Sequence, residues 1–178
     1  MKILKTKFKN LLIIKQKNNL DKRGSLRETH NKKILGHNNF VFEYCTTSKK
    51  NSLRGFHFQH KYQQAKYVSV IKGKIYDCVI DLRKKSKTFG MSFKIILSDK
   101  NCLSLYIPEG FAHAYYSYDD LNIIYYKLSN YYKPQFEDGI NLKDKNLKIN
   151  WPGRKHLISN KDRSLGTFEE FKKKHKFL

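Results

Sequence analysis

Four stretches of the 178-residue sequence carry side chains able to move protons or hold charge. The first is Leu53-Arg54-Gly55-Phe56-His57-Phe58-Gln59, where a glycine lets the backbone pass close to a neighbour. Alternation there sets Arg54, Phe56 and Phe58 on one face and Gly55, His57 and Gln59 on the other. An imidazole in such a run can take or give a proton near neutral pH; its plainer reading is a core histidine with both nitrogens satisfied. Lys66 opens the next apolar run and, taken alone, reads as a surface cation. Third, Tyr106-Ile107-Pro108-Glu109-Gly110-Phe111-Ala112-His113 joins a tight Pro/Gly turn to a second histidine, which by itself is a hairpin turn with a structural imidazole. Fourth, Tyr125-Tyr126-Lys127 precedes Tyr131-Tyr132-Lys133-Pro134, a supply of phenols that alone reads as an aromatic strand end.

The elements that must position these groups are strands. Residues 66–71 alternate, Lys72-Gly73-Lys74 turns the chain, and residues 75–82 run on as a second strand, which predicts a hairpin. Further strand-like runs are Leu11 to Ile14, Phe40 to Cys45, Phe93 to Leu97, Leu103 to Ile107, Ala112 to Tyr116 and Asn122 to Leu128, separated by Gly, Ser, Asp and Asn. Many short strands at this spacing predict an all-β sandwich or barrel, with jelly rolls among the candidates. Thr167 and Glu170 form a capping box ahead of Phe168 and Phe171 and predict a helix of about two turns. The lysines after it are expected to fray, leaving residues 172–178 as a basic tail. With no internal repeat and no linker-like segment, residues 1–178 read as one domain.

Composition narrows the function classes. Lys plus Arg number 37 against 15 Asp plus Glu, a net charge of +22. Only Arg23, Arg27, Arg54, Arg83, Arg154 and Arg163 are arginines, and the lysines are scattered through every segment, so a solvated basic surface is favoured over a nucleic-acid site. No apolar stretch approaches the roughly 20 residues of a membrane helix, and the N-terminus lacks a signal-peptide core, so a cytoplasmic location without membrane association is expected. Cys45, Cys78 and Cys102 match no disulfide framework or zinc spacing and read as reduced, mostly buried thiols.

Taken in order, the pieces resemble the dTDP-4-dehydrorhamnose 3,5-epimerase family of the cupin superfamily. The matching residues are Arg23-Gly24 with Glu28, LRGFHFQ (53–59), Lys66, DLRKKSKTFG (81–90), IPEGFAH (107–113), YYK (125–127), NYYKP (130–134), INWP (149–152) and LISNKD (157–162). The resemblance implies a cupin jelly-roll barrel of two antiparallel sheets with a short C-terminal helical segment. It also implies an isomerase that inverts C3, C5 or both of a nucleotide-diphosphate 4-keto-6-deoxy sugar, in deoxysugar biosynthesis for surface polysaccharide such as lipopolysaccharide.

Inverting a carbon beside a ketone requires a base, a group that stabilises the enolate oxygen, and an acid on the opposite face. By similarity to the family, His57 is the base, Asp162 its carboxylate partner, Tyr126 the acid, and Lys66 the cation near the enolate, with His113 in the same pocket. Arg54 and Gln59 would hold the substrate, and Tyr131 or Tyr132 would stack on its base. Arg23 and Glu28 would reach in from a partner subunit of a homodimer with an exchanged N-terminal strand. No cofactor is implied, because the C4 ketone already acidifies C3 and C5. No catalytic metal is implied either: His57-Phe58-Gln59-His60 is followed by no Glu before Lys74, unlike the metal cupins.

Some positions depart from the family pattern. Ser25 replaces an aromatic, Phe42-Glu43-Tyr44-Cys45-Thr46 replaces a QDNHS-like strand, Tyr106 replaces Trp and Ala114 replaces Gly. These changes point to a reshaped nucleotide and sugar pocket. The alternatives are therefore a single-centre epimerase or keto-isomerase on another nucleotide sugar such as a GDP or CDP sugar, or a cupin that binds a sugar nucleotide without catalysis.

Overall fold

The apolar runs fold as antiparallel strands, and their order in the sheets decides what they enclose. The computed structural model describes residues 1–36 and 39–175. In chain order the strands are β1 (Lys2–Lys5), β2 (Leu12–Lys15), β3 (Lys17–Asp21), β4 (Gly24–Glu28), β5 (Phe42–Ser48), β6 (Leu53–Gln59) and β7 (Lys66–Lys72). They continue with β8 (Lys74–Asp81), β9 (Ser92–Ser98), β10 (Leu103–Ile107), β11 (Phe111–Ser117), β12 (Asn122–Leu128) and β13 (Glu137–Gly139). The short helices are α1 (Lys32–Leu35), α2 (Asn160–Arg163) and α3 (Phe168–Lys174).

A six-stranded sheet, in the order β1-β2-β10-β7-β12-β5, faces a five-stranded sheet in the order β13-β6-β11-β8-β9. Because successive side chains leave opposite faces of a strand, one set from each sheet fills the space between them. Val68, Val70, Ile124 and Leu128 from the first sheet meet Ile75, Val79, Phe111 and Tyr115 from the second in one buried cluster. The other face of the five-stranded sheet is also covered: Phe56, Phe58, Ile80 and Ala112 pack under Ile140, Leu142, Phe168 and Phe171 of the C-terminal segment. Burial on both faces explains why β11 is apolar along nearly its whole length. This is the jelly-roll architecture anticipated above.

Two connections differ from expectation. β7 and β8 do not form a hairpin: β7 pairs with β10 and β12, whereas β8 pairs with β9 and β11. Lys72-Gly73-Lys74 is a corner between sheets, with Gly73 at φ +86° and no room for a Cβ against the Leu121 carbonyl at 2.5 Å. The Pro108-Gly110 turn likewise carries the chain from β10 in one sheet to β11 in the other. A sharp glycine turn between alternating runs looks the same in sequence whether the second run returns beside the first or crosses the barrel.

The C-terminal lysines do not fray as expected over the described residues. The capping box of Thr167 and Glu170 forms, and α3 runs through Lys174. Lys174 Nζ and His175 Nε2 each reach Asp138 Oδ2 at 2.7 Å, which pins the end of the helix to β13. Residues 176–178 of the expected tail lie outside the described residues. All three cysteines are free, Cys78 and Cys102 buried and Cys45 exposed.

Uninterrupted alternation along β6 puts Arg54 on the phenylalanine side; the structure reverses this. His57 pairs with His113 but Arg54 pairs with Tyr115, a one-residue register slip that turns Arg54 to the side of His57. Gly55 sits in the slip at φ +116°, where a Cβ would lie 2.5 Å from both the Ala114 Cβ and the His113 carbonyl oxygen. Gly55→Ala is therefore predicted to destabilise the fold by about 2–5 kcal/mol through left-handed backbone strain and overpacking. Urea unfolding measures this, and an unchanged midpoint would count against the packing described.

Candidate active site

The inward side chains are not all apolar, and the polar ones gather in a cleft of about 630 Å³ between the two sheets. The five-stranded sheet supplies His57 from β6 and His113 from β11; the six-stranded sheet supplies Lys66 from β7, Tyr126 from β12 and Tyr44 from β5. The loop ahead of α2 and the helix itself close one side with Ser159, Lys161 and Asp162.

Asp162 is only 4% exposed. Its Oδ1 accepts a hydrogen bond from His57 Nε2 at 2.7 Å, and its Oδ2 accepts from the Gly55 backbone N–H at 3.3 Å. Ser159 caps α2 by accepting from the Asp162 N–H, which fixes the carboxylate where β6 passes. Burial would raise the Asp162 carboxyl, but the bonds from His57, Gly55 and Ser159 with the His57 charge hold it below the usual range. An ionised carboxylate only accepts, so Nε2 carries the proton of this bond, and in the neutral imidazole the lone pair falls on Nδ1. Glu137 Oε1 stands 3.8 Å from Nδ1, close enough to stabilise a charged imidazole without taking up the lone pair.

On the opposite sheet, burial pushes the Tyr126 phenol well above its ordinary value, and Tyr115, Tyr44 and Asp77 push it further, against the Thr46 hydroxyl. The phenol therefore stays protonated across the physiological range. Burial acts in the other direction on the Lys66 ammonium, bringing it down to about 8 against the pull of Glu137 and Asp77. His113 donates from Nε2 to Asp77 Oδ2 at 2.7 Å, a pair buried among the inward residues of β11 and β8. The cleft thus holds a base with an oriented tautomer, a protonated phenol on the facing sheet, and a cation and a second imidazole beside them. This set can remove a proton from carbon, stabilise the resulting oxyanion and return a proton from another direction.

The remaining sequence candidates divide between the cleft and other parts of the chain. Arg54 lines the cleft with its guanidinium near the Thr47 carbonyl. Gln59 does not line it: its Nε2 donates to the Tyr62 carbonyl at 2.8 Å and its Oε1 accepts from the Lys133 N–H at 2.7 Å, so it braces the segment holding Tyr131 and Tyr132. Those two tyrosines are exposed beyond the cleft lining, with Tyr132 donating to Glu137 Oε2 at 2.7 Å. Arg23 is paired with Asp21 at the exposed turn of the β3–β4 hairpin, and Glu28 accepts from Asn31 at 2.6 Å; neither reaches the cleft of its own chain.

Sequence reasoning missed Glu137 and Asp77, quoted Lys161 only within the LISNKD motif, and read Tyr44 only within the Phe42–Thr46 departure from the family pattern. Asp77 was readable in principle as a carboxylate in the middle of a mostly apolar strand. Glu137, which also accepts from Lys161 Nζ, opens the three-residue β13 directly after a 3-10 turn, too short a strand to carry a periodic signal.

The family model for dTDP-4-dehydrorhamnose 3,5-epimerase matches residues 5–170. The chain belongs to the dTDP-4-dehydrorhamnose 3,5-epimerase family. It is 38% identical over 170 residues to the dTDP-4-dehydrorhamnose 3,5-epimerase of Methanothermobacter thermautotrophicus, covering 92% of each chain. It is 37% identical to that of Escherichia coli K12, covering 96% of each. The fold superposes with a TM-score of 0.90 on the dTDP-6-deoxy-D-glucose-3,5-epimerase of Legionella pneumophila solved with dTDP-4-keto-L-rhamnose, at 35% identity over 94% of this chain and 93% of that one. As a member of this family the chain is an isomerase.

Burial of Lys66 makes the stability of the fold depend on pH. The folded-state Lys66 pKa of about 8 lies below the ordinary 10.5, so the fold favours the neutral amine. The cost of burying the charge is fully present below about pH 8 and fades as pH rises towards the unfolded value. Side-chain NMR of Lys66 should show a titration midpoint near 8, whereas a midpoint at 10.5 would show that the ammonium is solvated.

Proposed function

We propose that this chain epimerises a nucleotide-diphosphate 4-keto-6-deoxy sugar at both C3 and C5, with dTDP-4-keto-6-deoxyglucose as substrate. The observation that carries the reading is the His57–Asp162 hydrogen bond of 2.7 Å between β6 and α2, in one cleft with the buried Tyr126 of the facing sheet. The relatives' names and the sugar nucleotide in the Legionella structure supply the substrate class.

His57 takes the proton from C3 or C5 on Nδ1, and the electron pair of the broken C–H bond moves onto the C4 oxygen as an enolate. Asp162 and Glu137 stabilise the imidazolium, while Lys66 and His113 face the developing oxyanion. Tyr126 then gives its phenolic proton to the same carbon from the opposite face, and the electron pair returns from oxygen to carbon as the ketone re-forms. Imidazolium and phenolate regain their starting states by exchange with water in the open cleft. The C4 ketone acidifies both neighbouring carbons, so the chemistry requires no cofactor. Arg54 is assigned to the diphosphate, and Tyr131 or Tyr132 to stacking on the base.

We further assign Arg23 and Glu28 to the cleft of a partner subunit in a two-fold homodimer, acting in the cytoplasm. Support comes from the β3–β4 hairpin, which forms its own two-stranded sheet and exposes Leu20 at 78% and Leu26 at 69%. A stable dimer should bury at least about 1,600 Å² in total. Light scattering at micromolar concentration is predicted to give a dimer, and a monomer would overturn this assignment.

The division of labour has its own test in deuterated buffer. His57→Asn is expected to abolish both solvent exchange and product formation. Tyr126→Phe should continue to exchange deuterium into the unreacted sugar while inverting poorly, and Asp162→Asn should fall between the two. Each lost acid or base term is typically about 10² to 10⁴ in rate. A His57→Asn enzyme that keeps most of its exchange activity would remove His57 from the role of base.

A further inference from the structure

The acid needs more than a proton; its ring must be held so that the phenolic oxygen points at one face of the sugar. Tyr126 lies directly opposite Tyr44 across the β12–β5 ladder, and β5 is the edge strand of its sheet. The two rings stack with centroids 4.8 Å apart and an interplanar angle of 24°. Both line the cleft, Tyr126 being 3% exposed and Tyr44 36%. Two positions back along the same face of β5, Phe42 packs on Tyr44 at 5.6 Å and on Tyr131 at 6.2 Å. Two and four positions on, Thr46 and Ser48 hold the Tyr115 hydroxyl at 3.1 and 2.9 Å. This face of β5 therefore forms a continuous wall beside the acid.

We propose that Tyr44 is a positioning residue that holds the Tyr126 ring in register with the face opposite His57, an inference that rests on the assignment of Tyr126 as the acid. A tyrosine ring turns about two side-chain bonds, so small rotations at the Cβ move the distant hydroxyl by ångströms. Where the ring borders the cleft, its packed neighbours limit that rotation, Tyr44 by stacking on its face and His113 by a T-shaped contact at 6.0 Å. A displacement of about 1 Å from the reacting geometry costs on the order of 10²-fold in rate. Proton removal by His57 does not depend on the Tyr126 ring, so losing the wall uncouples abstraction from inversion. Stacking is a property of the ring and not of the Tyr44 hydroxyl, which fixes what each substitution should do.

The test measures, in deuterated buffer with dTDP-4-keto-6-deoxyglucose, the ratio of deuterium entering recovered substrate to deuterium entering inverted product. This ratio is unaffected by the fraction of enzyme that is correctly folded. Tyr44→Ala is expected to raise it about tenfold or more, Tyr44→Leu by less, and Tyr44→Phe to leave it within about twofold of the unmodified enzyme. An unchanged ratio in both Tyr44→Ala and Tyr44→Leu overturns the proposal, as does a Tyr44→Phe enzyme that behaves like Tyr44→Ala. Tyr126→Phe is run beside them. If its ratio rises while that of Tyr44→Ala does not, the proposal alone fails; if its ratio does not move, the acid assignment fails and takes the proposal with it.

Discussion

The hydrogen bond between His57 and Asp162 ties together parts of the chain 105 residues apart, and most of the site follows from the conditions it needs. A carboxylate that is 4% exposed costs several kcal/mol unless donors surround it. The imidazole and the Gly55 N–H donate to it here, and the Ser159 side chain at the cap of α2 adds a further stabilising hydrogen bond. Gly55 can present its N–H because it occupies the register slip against β11, and only a residue without a Cβ fits there. α2 can reach β6 because the adjoining segment is anchored by the backbone pairing of Leu157 with Leu53 and Asn51. One polar contact thus depends on a bulge, a cap and a strand-like bridge.

The barrel interior sets the chemistry of the groups it receives. Burial penalises charge of either sign, so the same apolar walls raise the Tyr126 phenol and lower the Lys66 ammonium. With a value near 8, Lys66 remains mostly charged at neutral pH, while Tyr126 remains protonated. The two sheets therefore do more than carry the side chains. By alternating residues inward from both sides, they place an oriented imidazole and a protonated phenol in one cleft.

Much of this arrangement is legible in the sequence where the signal is local or motif-like. The strands from β5 to β12 appear as apolar alternation, the capping box of α3 is written in Thr167 and Glu170, and the family motifs carry His57, Lys66, Tyr126 and Asp162. What stayed hidden is non-local. Gly73 and Pro108-Gly110 signal turns, but nothing in those residues says that the next strand joins the other sheet. The face of Arg54 depends on a slip against β11 that alternation within β6 does not encode. Glu137 and Tyr44 gain their meaning only from neighbours across space, His57 for one and Tyr126 for the other.

The proposed epimerisation requires a base on one face of the sugar and an acid on the other, next to its ketone. It is tested most directly by converting dTDP-4-keto-6-deoxyglucose with the unmodified enzyme in deuterated water and locating the label in the product by NMR. The account predicts one deuterium at C3 and one at C5, each carbon with inverted configuration. A product inverted without solvent label, or a sugar left unchanged and unlabelled, would contradict it.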